Sequence, residues 1–186
     1  MKMKLKNFLA IVVTLIGLSY FTSDVSANTI TSNDELISQL KVFDENGNQI
    51  SYTIDELKGM FKLVPNSSIM QTRSIATFSS NKIANYFYKS TPFSFTKNVS
   101  LDGGRTFYRP VDLQITPTGT AKAFSLFVDN TSLSTEARRI DFPSGWSGTV
   151  HMSLKDLSRS YGYKFTFRNY AYNTTVYMDN ATLYYD

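Results

Sequence analysis

Hydrophobic and polar residues alternate along most of the chain from Ile75 onward. The segments "FSFTKNVSL", "TFYRPVDLQIT", "AFSLFV", "TVHMSL" and "YGYKFTF" each place an apolar side chain at nearly every second position. This period of two predicts strands that bury one face, as in antiparallel sheets packed face to face. Gly, Pro, Asn and Asp separate the segments at short intervals. The pattern predicts an all-β domain over residues 75–186, with about eight strands in an antiparallel β-sandwich of the jelly-roll or immunoglobulin-like kind.

Residues 28–74 follow a different pattern, with fewer apolar positions. In "TIDELKGMF", Thr53 stands three residues before Glu56, which is the spacing of a helix capping box. We therefore expect a short helix from Ile54 to Lys62. Upstream of it, Asn46-Gly47 predicts a tight hairpin turn. This segment has too little apolar surface for its own core, so we expect it either to pack on the sandwich or to stay partly mobile; its last residues, "VPNSSIMQTRS", predict a linker.

The first 27 residues have the three parts of a secretory signal peptide. Three lysines precede an apolar run from Phe8 to Leu18, and Val25 and Ala27 occupy the small-residue positions before a cleavage site. We expect cleavage after Ala27, because the run is shorter than the roughly 20 apolar residues that cross a bilayer. No later segment is long and apolar enough to predict a membrane span in the mature chain.

The chain contains no cysteine, which excludes disulfides and thiol chemistry. Secreted domains from animals and fungi usually depend on disulfides, so the composition favours export from a bacterium. The short lysine-rich leader further favours a Gram-positive one. Loss of residues 1–27, with Lys2, Lys4, Lys6 and Asp24, would lower the formal charge from +4 to +2. A charge this small gives no indication of nucleic-acid binding.

Motifs of catalysis are missing from the sequence. There is no P-loop, no Gly-x-Ser-x-Gly and no His-Glu-x-x-His. His151, the single histidine, lies between Val150 and Met152, so we expect it to point outward if those two point inward. We therefore expect no enzyme activity. A small hydrolase that uses a carboxylate pair is the alternative, with its acids drawn from Asp112, Glu136, Asp141 and Asp156.

No cofactor is expected, although a structural calcium ion is an open alternative. Calcium takes six to eight oxygen ligands from carboxylates and loop carbonyls. The candidate ligands are Asp102 in "LDGG", Asp129 in "VDNTS" and Asp179 near the end of the chain. No dense Asp-x-Asp-x-Asp run accompanies them.

Aromatic residues are the most informative part of the composition, with 14 Phe, 12 Tyr and one Trp. Alternation places most Phe in the core, whereas tyrosines outside it either stack on sugar rings or form cross-strand pairs. Trp146, in "PSGWSG", is either a plug over the core or an exposed anchor. The candidate ligand-binding residues are Tyr108, Trp146, Tyr170, Tyr172 and Tyr177, with Arg105 and Arg168 as polar neighbours.

The closing stretch "TVYMDNATLYYD" resembles the last strand of jelly-roll carbohydrate-binding modules. In that family Trp or Tyr side chains stack on sugars and many members hold a structural calcium ion; Asp179 and Asn180 match its acidic pair by position. In a regular strand, Met178 and Leu183 would face opposite sides of the sheet, because they are an odd number of residues apart. A bulge at the Asp179-Asn180 pair would let Val176, Met178 and Leu183 all face the core and would leave Tyr177 outside.

The functional hypothesis from the sequence is a secreted, non-enzymatic binding protein. Its partner would be a polysaccharide or another component of a cell-envelope surface. A secreted protein-interaction or toxin-like factor is the first alternative, because small size and export fit it equally. The carboxylate-pair hydrolase is the second.

Overall fold

The structure is a computed structural model that describes residues 29–65, 84–171 and 173–186. The predicted signal peptide, most of the predicted linker and Tyr172 lie outside these residues. The described elements, in chain order, are α1 (Asn33–Gln39), β1 (Lys41–Phe43), α2 (Ile54–Met60), β2 (Phe61–Val64), β3 (Tyr86–Lys89), β4 (Phe93–Phe95), β5 (Asn98–Ser100), a 3-10 turn (Leu101–Gly104), β6 (Phe107–Tyr108), β7 (Pro110–Pro117), β8 (Phe124–Asn130), β9 (Thr135–Phe142), β10 (Thr149–Ser153), β11 (Gly162–Arg168) and β12 (Val176–Tyr185).

The strands form two six-stranded antiparallel sheets. Sheet 1 has the order β1-β9-β8-β11-β5, with β6 also paired to β11, and sheet 2 has the order β2-β10-β7-β12-β3, with β4 also paired to β12. Because β3 and β4 share one position beside β12, and β5 and β6 share one beside β11, β3 to β12 occupy eight positions. If these eight positions are numbered in chain order, sheet 1 has the order 5-4-7-2 and sheet 2 has the order 6-3-8-1. This is the strand order of a jelly roll. The predicted all-β sandwich is confirmed.

The core lies between the sheets and follows the predicted alternation. Apolar side chains at every second position of the central strands have almost no exposed surface, among them Leu113, Ile115, Leu126, Val128, Phe165, Phe167 and Leu183. Burial of this apolar area, at roughly 25 cal/mol per Å², is the main term that stabilises the sandwich.

The N-terminal segment contains the predicted helix and turn. Thr53 and Glu56 form the capping box of α2, and Gly47 has the positive φ of 77° that its turn requires. The helix ends at Met60, two residues before the predicted end, because Phe61 begins β2 and is completely buried in the core.

This segment also contributes one edge strand to each sheet. β1 pairs with β9 and β2 pairs with β10, so residues 29–65 close one lateral edge of the sandwich. Helix α1, which the sequence pattern did not predict, is capped by Ser32 and buries Leu36 and Ile37 completely. Residues 29–65 therefore pack on the sandwich, which was the first of the two expectations for this segment.

The closing strand β12 agrees with its predicted pattern. Val176, Met178 and Leu183 are buried, Tyr177 is exposed, and the pairing with β7 shifts register between Met178 and Asn180. The bulge at Asp179 therefore keeps both halves of a ten-residue strand in register with the core.

The helices within the described ranges are all too short or too polar to cross a membrane.

Candidate ligand-binding site

A cleft of about 630 Å³ opens at the end of the sandwich where β11 begins. We call it the end cleft; its lining residues are Tyr108, Arg109, Arg159, Ser160 and Asp186. They come from the junction of β6 and β7, from the loop before β11 and from the residue after β12. The jelly-roll connections therefore bring together positions that are up to 78 residues apart in the sequence, from Tyr108 to Asp186.

Tyr108 is placed at the cleft by a glycine on the neighbouring strand. It pairs with Gly162 of β11, and its side chain is 60 % exposed. A Cβ atom at position 162 would lie 3.0 Å from Cε1 of Tyr108 and 2.4 Å from Cγ2 of Thr106. The absence of a side chain at Gly162 therefore lets the Tyr108 ring lie against the strand with one face open to solvent.

Arg109 adopts a strained backbone conformation next to this ring. Its φ is 48°, a region that residues with a Cβ rarely occupy and that costs on the order of 1–3 kcal/mol. Its carbonyl oxygen accepts hydrogen bonds from the backbone N–H of Asp186 (3.3 Å) and from Nη1 of Arg159 (3.4 Å). These two bonds hold the turn, and the Arg109 residue remains exposed at the cleft.

Arg159 is held by the carboxylate of Asp186. The two form an ion pair in which the side chain of Asp186 is almost completely buried and Arg159 keeps 39 % of its side chain exposed. The other carboxylate oxygen of Asp186 accepts the backbone N–H of Asn85 at 3.2 Å. The pair thus ties the loop before β11 to the start of β3 and presents a positioned guanidinium group to the cleft.

A second group of aromatic rings adjoins the end cleft through the closing residues of β12. Tyr86, 61 % exposed, stacks on Tyr185 with ring centroids 5.8 Å apart, and Tyr185 packs edge-on against Phe107 at 5.3 Å. The end of the sandwich therefore combines exposed aromatic surface with two guanidinium groups. Rings of this kind stack on flat apolar faces, and guanidinium groups donate up to five hydrogen bonds to oxygen atoms.

Tyr108 is the predicted site residue that lies at this cleft. Arg168 and Tyr170 lie together at the opposite end of β11, about 20 Å away at 3.4 Å per residue. Tyr177 is exposed on β12, and Arg105 is exposed beside the 3-10 turn, so neither joins Tyr108. Tyr172 lies outside the described residues.

Trp146 has no exposed surface, so it cannot stack on a ligand. Its ring packs near Phe124 and Phe142, and its indole N–H donates to the carbonyl oxygen of Pro143 at 2.9 Å. Of the two roles expected from the sequence, the structure shows the plug. We therefore remove Trp146 from the candidate ligand-binding residues.

His151 points away from the core, as expected, but it is buried and not exposed. Val150 and Met152 do point into the core, but His151 is only 5 % exposed on the other side of β10. Its Nδ1 atom lies 3.8 Å from Oδ2 of Asp112, which also accepts a hydrogen bond from Gln114.

The acidic residues proposed as calcium ligands lie on different elements. Asp102 contacts Arg105 at 3.4 Å, Asp129 stands opposite Glu136, and Asp179 accepts the hydroxyl of Thr118 at 2.7 Å. Within the described part of the chain, no group of three or more metal-ligating side chains is found. The candidate calcium ligands therefore do not form one site.

Of the four acids of the alternative hydrolase, Glu136 and Asp141 share β9 on the outer surface of sheet 1, whereas Asp112 lies on β7 of sheet 2 near His151. Asp141 pairs with Arg139, and Asp156 pairs with the nearly buried guanidinium group of Arg138. Glu136 faces Asp129 on the open outer surface of sheet 1.

Four residues at this end are not among the candidate ligand-binding residues named from the sequence: Tyr86, Arg109, Arg159 and Asp186. Their proximity depends on the sheet order, which no local spacing reveals. Proline at position 110 restricts the residue before it to extended backbone as a rule, so "FYRPVD" gave no signal for the positive φ of Arg109.

No protein-family model, curated protein or solved structure matches this chain.

Proposed function

We propose that the protein is an exported, non-enzymatic binding protein of a Gram-positive bacterium, and that its end cleft holds part of a polysaccharide or another cell-envelope component. The observation that carries this proposal is the open ring of Tyr108 beside Arg109 and Arg159 in a cleft of about 630 Å³. This volume lies in the range of about 300–1,000 Å³ that is typical of ligand-binding clefts. The leader-like residues 1–27 and the lack of cysteine support export from a bacterium.

The chemistry of the end cleft suits a ring with hydroxyl groups. The apolar face of a pyranose stacks on an aromatic ring, while its hydroxyl oxygens accept hydrogen bonds from guanidinium groups. Tyr108 supplies the ring, and the Arg159 guanidinium is already positioned by Asp186. A positioned donor loses little side-chain entropy when a ligand binds, which favours affinity.

Affinity electrophoresis on neutral polysaccharides, followed by calorimetry on the best ligand, tests this proposal. We expect Tyr108→Ala to weaken binding about five- to tenfold, because stacking on an aromatic ring contributes about 1 kcal/mol. Tyr177→Ala is the matched control, since Tyr177 is exposed to a similar extent, 56 % against 60 %, but does not line the cleft. Wild-type affinity in Tyr108→Ala, together with a loss in Tyr177→Ala, would contradict the assignment, as would failure of the wild type to bind any glycan or wall preparation.

The edge strand β3 favours a protein-interaction function as the second candidate. Phe87 is 67 % exposed and lies 6.2 Å from the ring of Tyr184, and β3 is the last strand in the order of sheet 2. Exposed edges with apolar side chains are common sites for pairing with another chain. If this function holds, size-exclusion chromatography will show an oligomer or a complex that Phe87→Ser abolishes, whereas a purely monomeric wild type speaks against it.

A further inference from the structure

Two arginines lie flat on aromatic rings on the outer surface of sheet 1. The guanidinium carbon of Arg139 is 3.7 Å from the ring centroid of Phe43, and that of Arg168 is 4.3 Å from the ring centroid of Phe127. Phe43, Arg139 and Phe127 occupy opposed positions on the adjacent strands β1, β9 and β8. We call this surface, completed by Tyr170, the arginine face.

These guanidinium groups retain hydrogen-bonding capacity. Arg139 forms an ion pair with Asp141 and keeps 25 % of its side chain exposed. Its Nε atom, 3.3 Å from Oδ1 of Asp141, is buried and makes no hydrogen bond, and Oδ1 accepts the hydroxyl of Ser125 at 2.6 Å, so a bond from Arg139 to a ligand comes from its Nη groups. The Arg168 guanidinium contacts the rings of Phe127 and Tyr170. A guanidinium plane that rests on a ring keeps its N–H groups at the edge, where they bind a carboxylate as a two-pronged fork.

Tyr170 extends the arginine face beyond the end of β11. Its side chain is 49 % exposed, and its ring centroid lies 6.0 Å from the guanidinium carbon of Arg168. A sugar ring stacked on Tyr170 would therefore place a ring substituent within reach of Arg168. This combination distinguishes an acidic sugar from a phosphate chain, which has no ring to stack.

We propose that the arginine face binds a uronic-acid polysaccharide, with a sugar ring on Tyr170 and successive carboxylates at Arg168 and Arg139. This surface is separate from the end cleft, which lies near the other end of β11. The proposal therefore adds a second, chemically different binding surface and does not depend on the proposed function of the cleft.

Acids on the same face make this binding dependent on pH. The charged side chains there are Lys41, Asp129, Glu136, Arg139, Asp141, Lys164 and Arg168. Burial raises the pKa of Asp129, against the opposing effect of Arg168 and Lys164, and burial raises the pKa of Glu136 despite the nearby Arg139. As the pH falls, these two carboxylates lose their charge at a higher pH than ordinary carboxylates do, and the face becomes more cationic. We expect binding to tighten until the uronate groups themselves take up protons.

Affinity for polygalacturonate, measured by calorimetry at pH 7 and pH 5 with the purified protein, tests the proposal. We expect Arg168→Gln and Arg168→Lys each to weaken binding about tenfold, because neither replacement supplies the planar two-pronged donor. Lys164→Gln, which removes a cation from the same strand, is the matched control and should change affinity less than about threefold. In the wild type we expect tighter binding at pH 5, and in the Asp129→Asn, Glu136→Gln double variant no such change.

Three results would overturn this assignment. Wild-type affinity in Arg168→Lys would show attraction by charge alone. Equal binding of polyphosphate, with the same loss in Arg168→Gln, would show that the ligand is a phosphate and not a uronate. Failure of the folded wild type to bind polygalacturonate at either pH would remove the surface from consideration, whatever the end cleft binds to neutral glycans.

Discussion

The two ends of the sandwich use aromatic residues in opposite ways. At the plugged end, Trp146 is enclosed beside Phe124 and Phe142, and its neighbours in the loop bond Ile30 and Ala121 through the backbone. At the open end, Tyr108 keeps more than half of its side chain exposed beside the end cleft. An isolated aromatic residue in a glycine-rich loop is therefore not by itself a sign of ligand binding.

The difference follows from the backbone around each ring. Gly145 donates to the carbonyl oxygen of Ala121 at 2.9 Å and accepts from Ile30 at 2.8 Å, so the Trp146 loop is tied down on both sides. Tyr108 lies on a two-residue strand whose one partner is the start of β11. A tied loop folds its ring into the core, whereas a short strand at a sheet end leaves its ring in solvent.

Substituting the two aromatics one at a time gives the largest contrast. We expect Trp146→Ala to lower the free energy of unfolding by about 3–5 kcal/mol, since it leaves a cavity in the core. Tyr108→Ala should lower it by less than about 1 kcal/mol, because its side chain is mostly solvated. Denaturant unfolding measures both values. Similar losses in the two variants would mean that the ends are not different in the way described.

The next largest effect on stability is expected from substituting two glycines, one at each end, that have no room for a Cβ atom. A Cβ at Gly148, with φ of 105°, would lie 2.3 Å from the carbonyl oxygen of Val64, so we expect Gly148→Ala to cost about 2–3 kcal/mol of stability. At Gly162 the nearest atoms belong to side chains, including Tyr108, and the cost should be nearer 1 kcal/mol.

Binding separates these two glycine variants further. Gly162→Ala should displace the Tyr108 ring and weaken glycan binding about fivefold, whereas folded Gly148→Ala should bind as the wild type does. Calorimetry at a temperature where both variants are folded measures the difference. Loss of binding in Gly148→Ala alone would place the ligand at the plugged end.

The smallest expected effect concerns pH and involves the sheet surface that runs between the ends. The raised pKa values of Asp129 and Glu136 mean that the folded protein holds these protons at a higher pH than the unfolded chain does. Stability therefore falls as the pH rises from the ordinary carboxyl values of about 4 through the raised values.

Asp129→Asn removes one of the two groups responsible. We expect it to flatten this part of the stability profile and to raise stability at pH 7 by less than about 1 kcal/mol, since both carboxylates are partly solvated. Glu45→Gln, in an exposed turn, is the control. An unchanged slope in Asp129→Asn, measured by urea unfolding between pH 4 and pH 8, would contradict the assigned cause.

Much of the fold could be predicted, because short-range patterns in the sequence indicate most of its strands and one of its helices. Alternation located the strands of the sandwich, the Thr53 and Glu56 spacing located α2, and the parity of Met178 and Leu183 located the bulge. Helix α1 could not be predicted, because its burial against the sandwich stabilises it. Phe61 could not be assigned to a strand, because its pairing with β10 decides its conformation.

The candidate site could be predicted only in part, and for a similar reason. The exposure of Tyr108 could be predicted, because Tyr108 alternates with the apolar residues that face the core. Its proximity to Arg159 and Asp186 could not, because it depends on how β6, β11 and β12 meet. Burial of Trp146 depended on backbone bonds to Ile30 and Ala121, which lie 116 and 25 residues away in the sequence. Long-range pairing of this kind leaves no trace in local spacing.

The central position of β12 has a consequence for how the chain matures. Residues 176–185 are synthesised after every other described strand, yet they lie between β7 on one side and β3 and β4 on the other. Until they emerge, one sheet lacks its middle and the sandwich cannot close. At roughly 5–20 residues per second, a growing chain therefore spends several seconds without its fold.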